Sequence, residues 1–282
     1  MNAPAARVLG VCADDVGLVD GIAETVVDLA AAGRLSAASC LTNALGWGRA
    51  AAVLARSPAS LELGLHFNLS EGVPLSAALR AHWPTLPGLA RVLAGAQLRR
   101  LPLAAIGAEF GAQVDAFTAA LGRAPAFIDG HQHVHALPGV REVVLDAIAA
   151  WPEAPAVRNT GRLPGPGAAF KRWVIEASGG RALRRALVAR GIAHNRALVG
   201  VYDFIATDYR GLVQAWLAAA PPDGGLLFCH PGIAAGDDAG DAIAAARRRE
   251  AAYLASDAFA ADLAAAGVTV GATWAKRSSS AG

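Results

Sequence analysis

Phe127-Ile128-Asp129-Gly130-His131-Gln132-His133-Val134-His135 decides how the rest of the chain is read. Three of the chain's seven histidines fall here at two-residue intervals, directly after a short apolar run. An apolar run that ends in a His/Asp cluster has the form of a metal site at the end of a β-strand. In extended backbone, side chains at i, i+2 and i+4 share a face. In helical backbone His131 and His135 share one instead. Neither geometry seats three neighbouring histidines on one metal, so the expectation is one or two ligands here and the others elsewhere. A solvated, histidine-rich loop is the alternative.

Working outward, the segments on either side alternate between strand-like and helix-like patterns. Strands are expected at Arg7 to Ala13, Ala37 to Leu41, Leu61 to Leu65, Ala126 to Ile128, Ala156 to Arg158, Gly225 to Cys229 and Val268 to Gly271, with Val199 to Ile205 a strand or a loop. Helices are expected from about Asp20 to Gly33, Gly48 to Ala55, Ala104 to Leu121, Pro138 to Ala150, Phe170 to Arg190 with a break near Gly179-Gly180, Tyr209 to Ala219 and Ala242 to Ala265. Residues 72–102 are rich in Pro, Gly and Leu and read as an insertion over the open end of the fold, a lid or substrate wall. Strands alternating with helices imply a parallel sheet. Seven or eight such units predict a distorted, TIM-like (β/α) barrel of the α/β class, one domain over residues 1–282.

Composition narrows the function. The 282 residues are 54% hydrophobic with a net charge of +2, which implies a globular chain. The short basic runs Arg184-Arg185 and Arg247-Arg248-Arg249 lie in helical context and read as solvated faces, so no nucleic-acid partner is expected. Three cysteines, Cys12, Cys40 and Cys229, lie in or beside apolar runs without CxxC spacing. They read as buried thiols in a reducing compartment, hence a cytoplasmic location. Met1 to Ala6 is too short and polar for a signal peptide, and residues 276–282 read as a frayed tail. Mean hydropathy is positive, but no charge-free run of 18 apolar residues appears, so no membrane-spanning helix is expected. A homodimer is left open.

The ionisable residues cluster at one kind of place. Asp14-Asp15, His66, Asp129 with His131, Arg158 and His230 each follow the C-terminal end of an expected strand. In α/β barrels those ends meet on the face that carries the chemistry. A carboxylate with two imidazoles holds a divalent metal and leaves positions open for water and substrate. A second carboxylate takes the proton from water, and an imidazole across the site protonates the leaving group. Asp14-Asp15, His66, His131 and His230 supply that set for hydrolysis of an amide or ester. No GxSxG elbow, P-loop or GxGxxG after a strand is present.

At these residues the sequence resembles the YdjC-like carbohydrate deacetylases, which include the diacetylchitooligosaccharide deacetylases and the hopanoid-associated HpnK proteins. The matching motifs are Ala13-Asp14-Asp15-Val16-Gly17, Gly64-Leu65-His66-Phe67-Asn68-Leu69, Asp129 to His135 and His230-Pro231-Gly232. Val16 departs from the family's usual Phe, which bears on pocket shape. The resemblance implies a distorted barrel and removal of acetyl from an N-acetylated amino sugar, free, in an oligosaccharide or lipid-linked. It implies Asp15, His66 and His131 as metal ligands, Asp14 as general base and His230 as general acid or transition-state partner. Zinc or magnesium is expected first, with manganese, cobalt and nickel also compatible.

Other residues carry two readings. His133 and His135 are expected near substrate or behind the ligands, and Asn68 beside substrate. Asp129 is a partner for a ligand or closes the turn. Arg158 binds sugar, orients Asp14 or makes a surface ion pair. Trp83 and Tyr202 read as core, with stacking on sugar rings the alternative. Two competing functions remain: a non-catalytic glycan-binding protein on this fold, and a different metallohydrolase such as an amidohydrolase or phosphoesterase. The latter usually carry an HxH pair after the first strand, where this chain has Asp14-Asp15.

Overall fold

The computed structural model describes residues 7–234, 241–272 and 274. Its first strand, β1 (Arg7–Val16), is buried from Leu9 onward and has neighbours on both edges. A strand so enclosed must be apolar on both faces, as Leu9, Val11, Cys12 and Ala13 are. The others are β2 (Ala37–Cys40), β3 (Glu62–Phe67), β4 (Phe127–Gly130), β5 (Ala156–Val157), β6 (Ala197–Val199), β7 (Gly225–Cys229) and β8 (Val268–Val270). They pair in the order β5-β4-β3-β2-β1-β7-β6, with β8 beside the start of β1, and every pair is parallel. The sheet curls into a TIM-like half-barrel wrapped by helices.

Alternation along the strands sorts side chains between the two faces. Cys12, Ala37, Phe127, Ala156, Leu198, Leu226 and Phe228 form one interior cluster with Trp274, which stacks on Phe127 at 4.7 Å between ring centroids. Gly64 makes room for it: a Cβ there would lie 2.5 Å from the Phe127 ring. Val11, Ala13, Ala38, Leu63 and Leu227 face outward, against α1 (Ile22–Ala31), α2 (Trp47–Leu54), α9 (Tyr209–Ala219) and α11 (Asp257–Ala265). Between β5 and β6 the strand ladder stops. There Asn159 and Asn195 clasp each other: each side-chain amide donates to the other's main-chain carbonyl at 3.0 Å, and Asn159 N–H donates to Asn195 Oδ1 at 2.7 Å.

The insertion holds α3 (Ala77–His82) and α4 (Leu89–Gln97). Leu79, Leu86, Val92 and Ala96 join the core of β3 and β4, α5 (Leu103–Leu121) and α6 (Val140–Ala149), and Trp83 packs against it. The expected break near Gly179-Gly180 is there: α7 (Ala169–Ile175) passes through one π-type turn into α8 (Arg181–Arg190). Both glycines press on carbonyls, of Ala136 and Thr160, that leave no space for a Cβ.

The last helix differs from expectation. Ala242 to Ala265 is two helices, α10 (Ala244–Ala255) and α11, because Ser256 leaves helical geometry and its Oγ accepts from Phe259 N–H. Of the Val199 to Ile205 segment, only Val199 belongs to a strand, β6; the rest is loop. Among the described residues no helix is long and apolar enough to cross a membrane. The expectations for Met1 to Ala6 and residues 276–282 lie outside the described residues.

Candidate metal centre

Adjacent residues of a regular strand point to opposite faces, so Asp14 and Asp15 should not share a site. Here β1 is bulged: its register against β2 shifts between Ala13 and Val16, and Asp15 has φ +64°. Aspartate enters this left-handed region more readily than most residues. The bulge turns both carboxylates to the same end of the barrel, where both are buried.

His66 and Asp129 are register partners on β3 and β4 and meet side by side. His66 Nδ1 donates to Asp129 Oδ1 at 2.6 Å, and Ser39 Oγ donates to the same oxygen at 2.5 Å. His66 Nε2 is thereby left facing Asp15 Oδ1, 3.4 Å away. His131 follows β4 directly, and its Nδ1 lies 2.8 Å from the same Asp15 oxygen. A carboxylate behind an imidazole fixes its tautomer and orientation, as at histidine metal ligands. Asp15, His66 and His131 are therefore a buried, converging one-carboxylate, two-imidazole donor set.

The surrounding charges form one chain. Arg158, fully buried, forks onto Asp14 with 2.6 Å bonds to both oxygens, and its Nη2 also lies 2.6 Å from Asp129 Oδ2. On the other side Arg247 donates to Asp15 Oδ2 at 2.7 Å and to Asp241 Oδ2 at 2.8 Å. With the imidazoles neutral, these four carboxylates outweigh the two guanidiniums, and Glu71, 3.3 Å from His131 Nε2, adds to the negative excess that a divalent cation would offset. Burial opposes charge on both rings, but Asp129 drives His66 up to about 10 and Asp15 drives His131 up to about 9. Burial likewise disfavours Asp15 ionisation, yet His131 and Arg247 hold it well below the usual carboxylate range. Cys12, Asp14 and Asp129 also converge, but the Arg158 guanidinium already serves that cluster.

His230 stands one residue beyond β7, beside Asp14's strand. Its ring meets Phe204 and Phe228 edge-on, and Nδ1 is buried without a partner. Burial lowers it to about 4, so the ring is neutral. Its main-chain N–H donates to Glu250 at 2.5 Å.

Three residues expected near substrate are buried and hydrogen-bonded inside the protein. Arg158 is not a surface ion pair; it is the buried fork on Asp14. His135 Nε2 donates to Arg158 O at 2.9 Å. Asn68 Oδ1 accepts from Ser70 and Glu71 N–H, and its Nδ2 donates to Glu71 O and Asn43 Oδ1. His133 alone keeps part of its ring open, edge-on to Phe228 at 5.6 Å. Tyr202 is core, donating to Glu250.

Sequence reasoning misplaced Arg247. It is 2% exposed and part of the charge chain, not a solvated face. The available signal was phase: Arg247 shares the buried side of α10 with Ala251 and Leu254, at i+4 and i+7.

The YdjC-like protein family matches residues 8–265 of the sequence. The chain belongs to that family. It is similar to a human carbohydrate deacetylase, 39% identical over 171 residues, which are 58% of this chain and 50% of the human protein. A chitooligosaccharide deacetylase of Klebsiella pneumoniae is 34% identical over 145 residues, 49% of this chain and 54% of that protein. These matches span about half the length of the curated relatives. Among solved structures, a putative cellobiose-phosphate cleavage protein from Enterococcus faecalis V583 superposes with a TM-score of 0.72. It is 18% identical and covers 96% of this chain and 98% of its own, a likeness of fold.

Proposed function

We propose that this YdjC-like chain is a divalent-metal-dependent hydrolase that removes the N-acetyl group from an amino sugar. The observation that carries this is the convergence of Asp15, His66 and His131 beside a second carboxylate, Asp14, pinned by a buried arginine. The substrate class comes from the relatives, named for carbohydrate and chitooligosaccharide deacetylation.

Asp15, His66 and His131 would hold the cation, which supplies Lewis acidity toward the acetamide carbonyl and toward water. Zinc suits the donor set, as do magnesium, manganese, cobalt and nickel with added waters. Asp14 takes the proton from the attacking water. Its two bonds to Arg158 fix the carboxylate without side-chain search, and position is most of what a general base needs. The amine nitrogen must gain a proton as the C–N bond breaks: His230, neutral in the free site and on the neighbouring strand, would act as the acid by passing on the proton that Asp14 removed from water. His133, only partly buried, would contact the sugar, while Arg158, Asn68 and His135 act through the residues they hold. Free, oligomeric and lipid-linked N-acetylated sugars all present the same acetamide.

The test is acetate release from a panel of N-acetylated sugars, including a chitooligosaccharide and an undecaprenyl-linked sugar, with and without chelator. Release from one member that stops with chelator and returns with added metal is the expected result. Release indifferent to chelator would refute the metal's role.

A further inference from the structure

Each candidate ligand has a charged residue behind it, and His131's is the least expected. Its Nδ1 faces Asp15, which leaves Nε2 pointing away from the donor set. That nitrogen is buried, and Glu71 Oε1 lies 3.3 Å from it. The same oxygen accepts from Gln132 Nε2 at 2.8 Å, so one carboxylate grips two consecutive residues of the histidine turn. That turn needs holding, because Gln132 and His133 have φ of +52° and +63°. Left-handed backbone is strained for a non-glycine residue and persists only where the surrounding structure fixes it.

Glu71 is itself aimed. Asn68 Oδ1 accepts from Ser70 and Glu71 N–H at 2.9 and 3.1 Å, and Asn68 Nδ2 donates to Glu71 O at 2.8 Å. Gln113 of α5 anchors Asn68 in turn: its Oε1 accepts from Asn68 N–H at 3.0 Å and its Nε2 donates to Asn68 O at 2.8 Å. A continuous run of hydrogen bonds and one charge contact thus leads from a core helix to His131. Asp129 plays the corresponding part for His66, but Asp129 is fully buried, whereas the Glu71 side chain is 46% exposed on the rim of the site.

We propose that Glu71 is the positioning residue for His131: it fixes the ring's tautomer and orientation for cation binding, and Asn68 exists to aim it. The proposal rests on the metal-dependent reading above. It gives Asn68 a role through Glu71 in place of direct substrate contact.

The test is Co2+ titration of chelator-stripped protein, followed by the visible absorption of the bound ion and by chelator competition. Glu71→Ala is expected to weaken Co2+ binding by roughly 10–100-fold and to alter the absorption band, as loss of a partner behind a ligand does. Glu71→Gln is expected to recover part of the loss, because its amide oxygen keeps an acceptor beside His131 Nε2 and Gln132 Nε2. The thermal midpoint of the stripped proteins should fall only slightly, since the Glu71 side chain is half exposed. Wild-type affinity in Glu71→Ala would overturn the proposal. So would unchanged Co2+ affinity with a raised KM for sugar, which would make Glu71 a substrate contact. A wild-type protein that binds no Co2+ would sink the metal-dependent reading itself, a result distinct from both.

Discussion

Asp14 and Asp15 are neighbours in sequence with different company. Asp15 shares one oxygen with two imidazoles and the other with Arg247. Asp14 has both oxygens on Arg158 and, among the described residues, makes no hydrogen bond or ion pair with either histidine donor. The division predicts how two otherwise similar substitutions part. Asp14→Asn keeps the shape and removes the base, so kcat should fall about 10²–10⁴-fold. Metal content, measured by atomic emission after dialysis, should equal that of the wild type. Loss of metal in Asp14→Asn would make Asp14 a ligand and undo the assignment. Both carboxylates were legible in the sequence as a pair at a strand end. Their different company rests on Arg158 and Arg247, 144 and 232 residues away along the chain: Arg158 stood open as a partner of Asp14, while Arg247 read as a solvated face.

The histidine turn is the element that sequence patterns describe least well. Strand geometry would have placed His131, His133 and His135 on one face, and helix geometry His131 and His135. The chain does neither. It leaves β4 at Gly130 and makes a tight 3-10 turn over His131–Ala136 with two left-handed residues inside. The three rings therefore part: toward Asp15, toward Phe228 and toward Arg158 O. Gly130 permits this fold-back although its own backbone is extended. A Cβ there would lie 2.8 Å from His135 N and 2.9 Å from its ring, and main chain cannot swing aside. Gly130→Ala should therefore cost about 1–3 kcal/mol of stability by overpacking. It should also weaken metal binding, since the displaced turn carries His131. Gly111→Ala is the control: its Cβ meets nothing within 4 Å in the interior of α5, and better helix propensity should stabilise by up to about 1 kcal/mol. Urea denaturation of the pair separates the cases. Equal behaviour of the two variants would show that the glycine at 130 is not required by the turn.

At the scale of the whole molecule, period-two alternation carried the barrel and much of its site. Asp14, His66, Asp129, Arg158 and His230 fall in the same phase of their strands as the interior residues Cys12, Phe127, Ala156 and Phe228, one step further along. The closing seam was not legible, because β5 and β6 are short and a side-chain clasp between Asn159 and Asn195 replaces a ladder. Nor was Glu250, which ties three elements together beneath His230. It accepts from Tyr202 after β6, from Tyr209 of α9 and from His230 N–H after β7. Burial raises its pKa to about 7 from 4.5, and these donors together with Arg247 only partly offset the rise. The unfolded chain gives up this proton near pH 4.5, while the folded chain keeps it to about 7. Between those values the native state binds more protons, so this group's contribution to stability is full below pH 4.5 and falls as pH rises to 7. The loss amounts to at most about 3 kcal/mol. Glu250→Gln removes the titration and keeps an acceptor oxygen. With chelator present throughout, the variant should lose up to about 3 kcal/mol less stability than the wild type between pH 5 and pH 8. Parallel pH profiles for the two proteins would mean that Glu250 stays ionised when folded, and that its three donors, with Arg247, outweigh its burial.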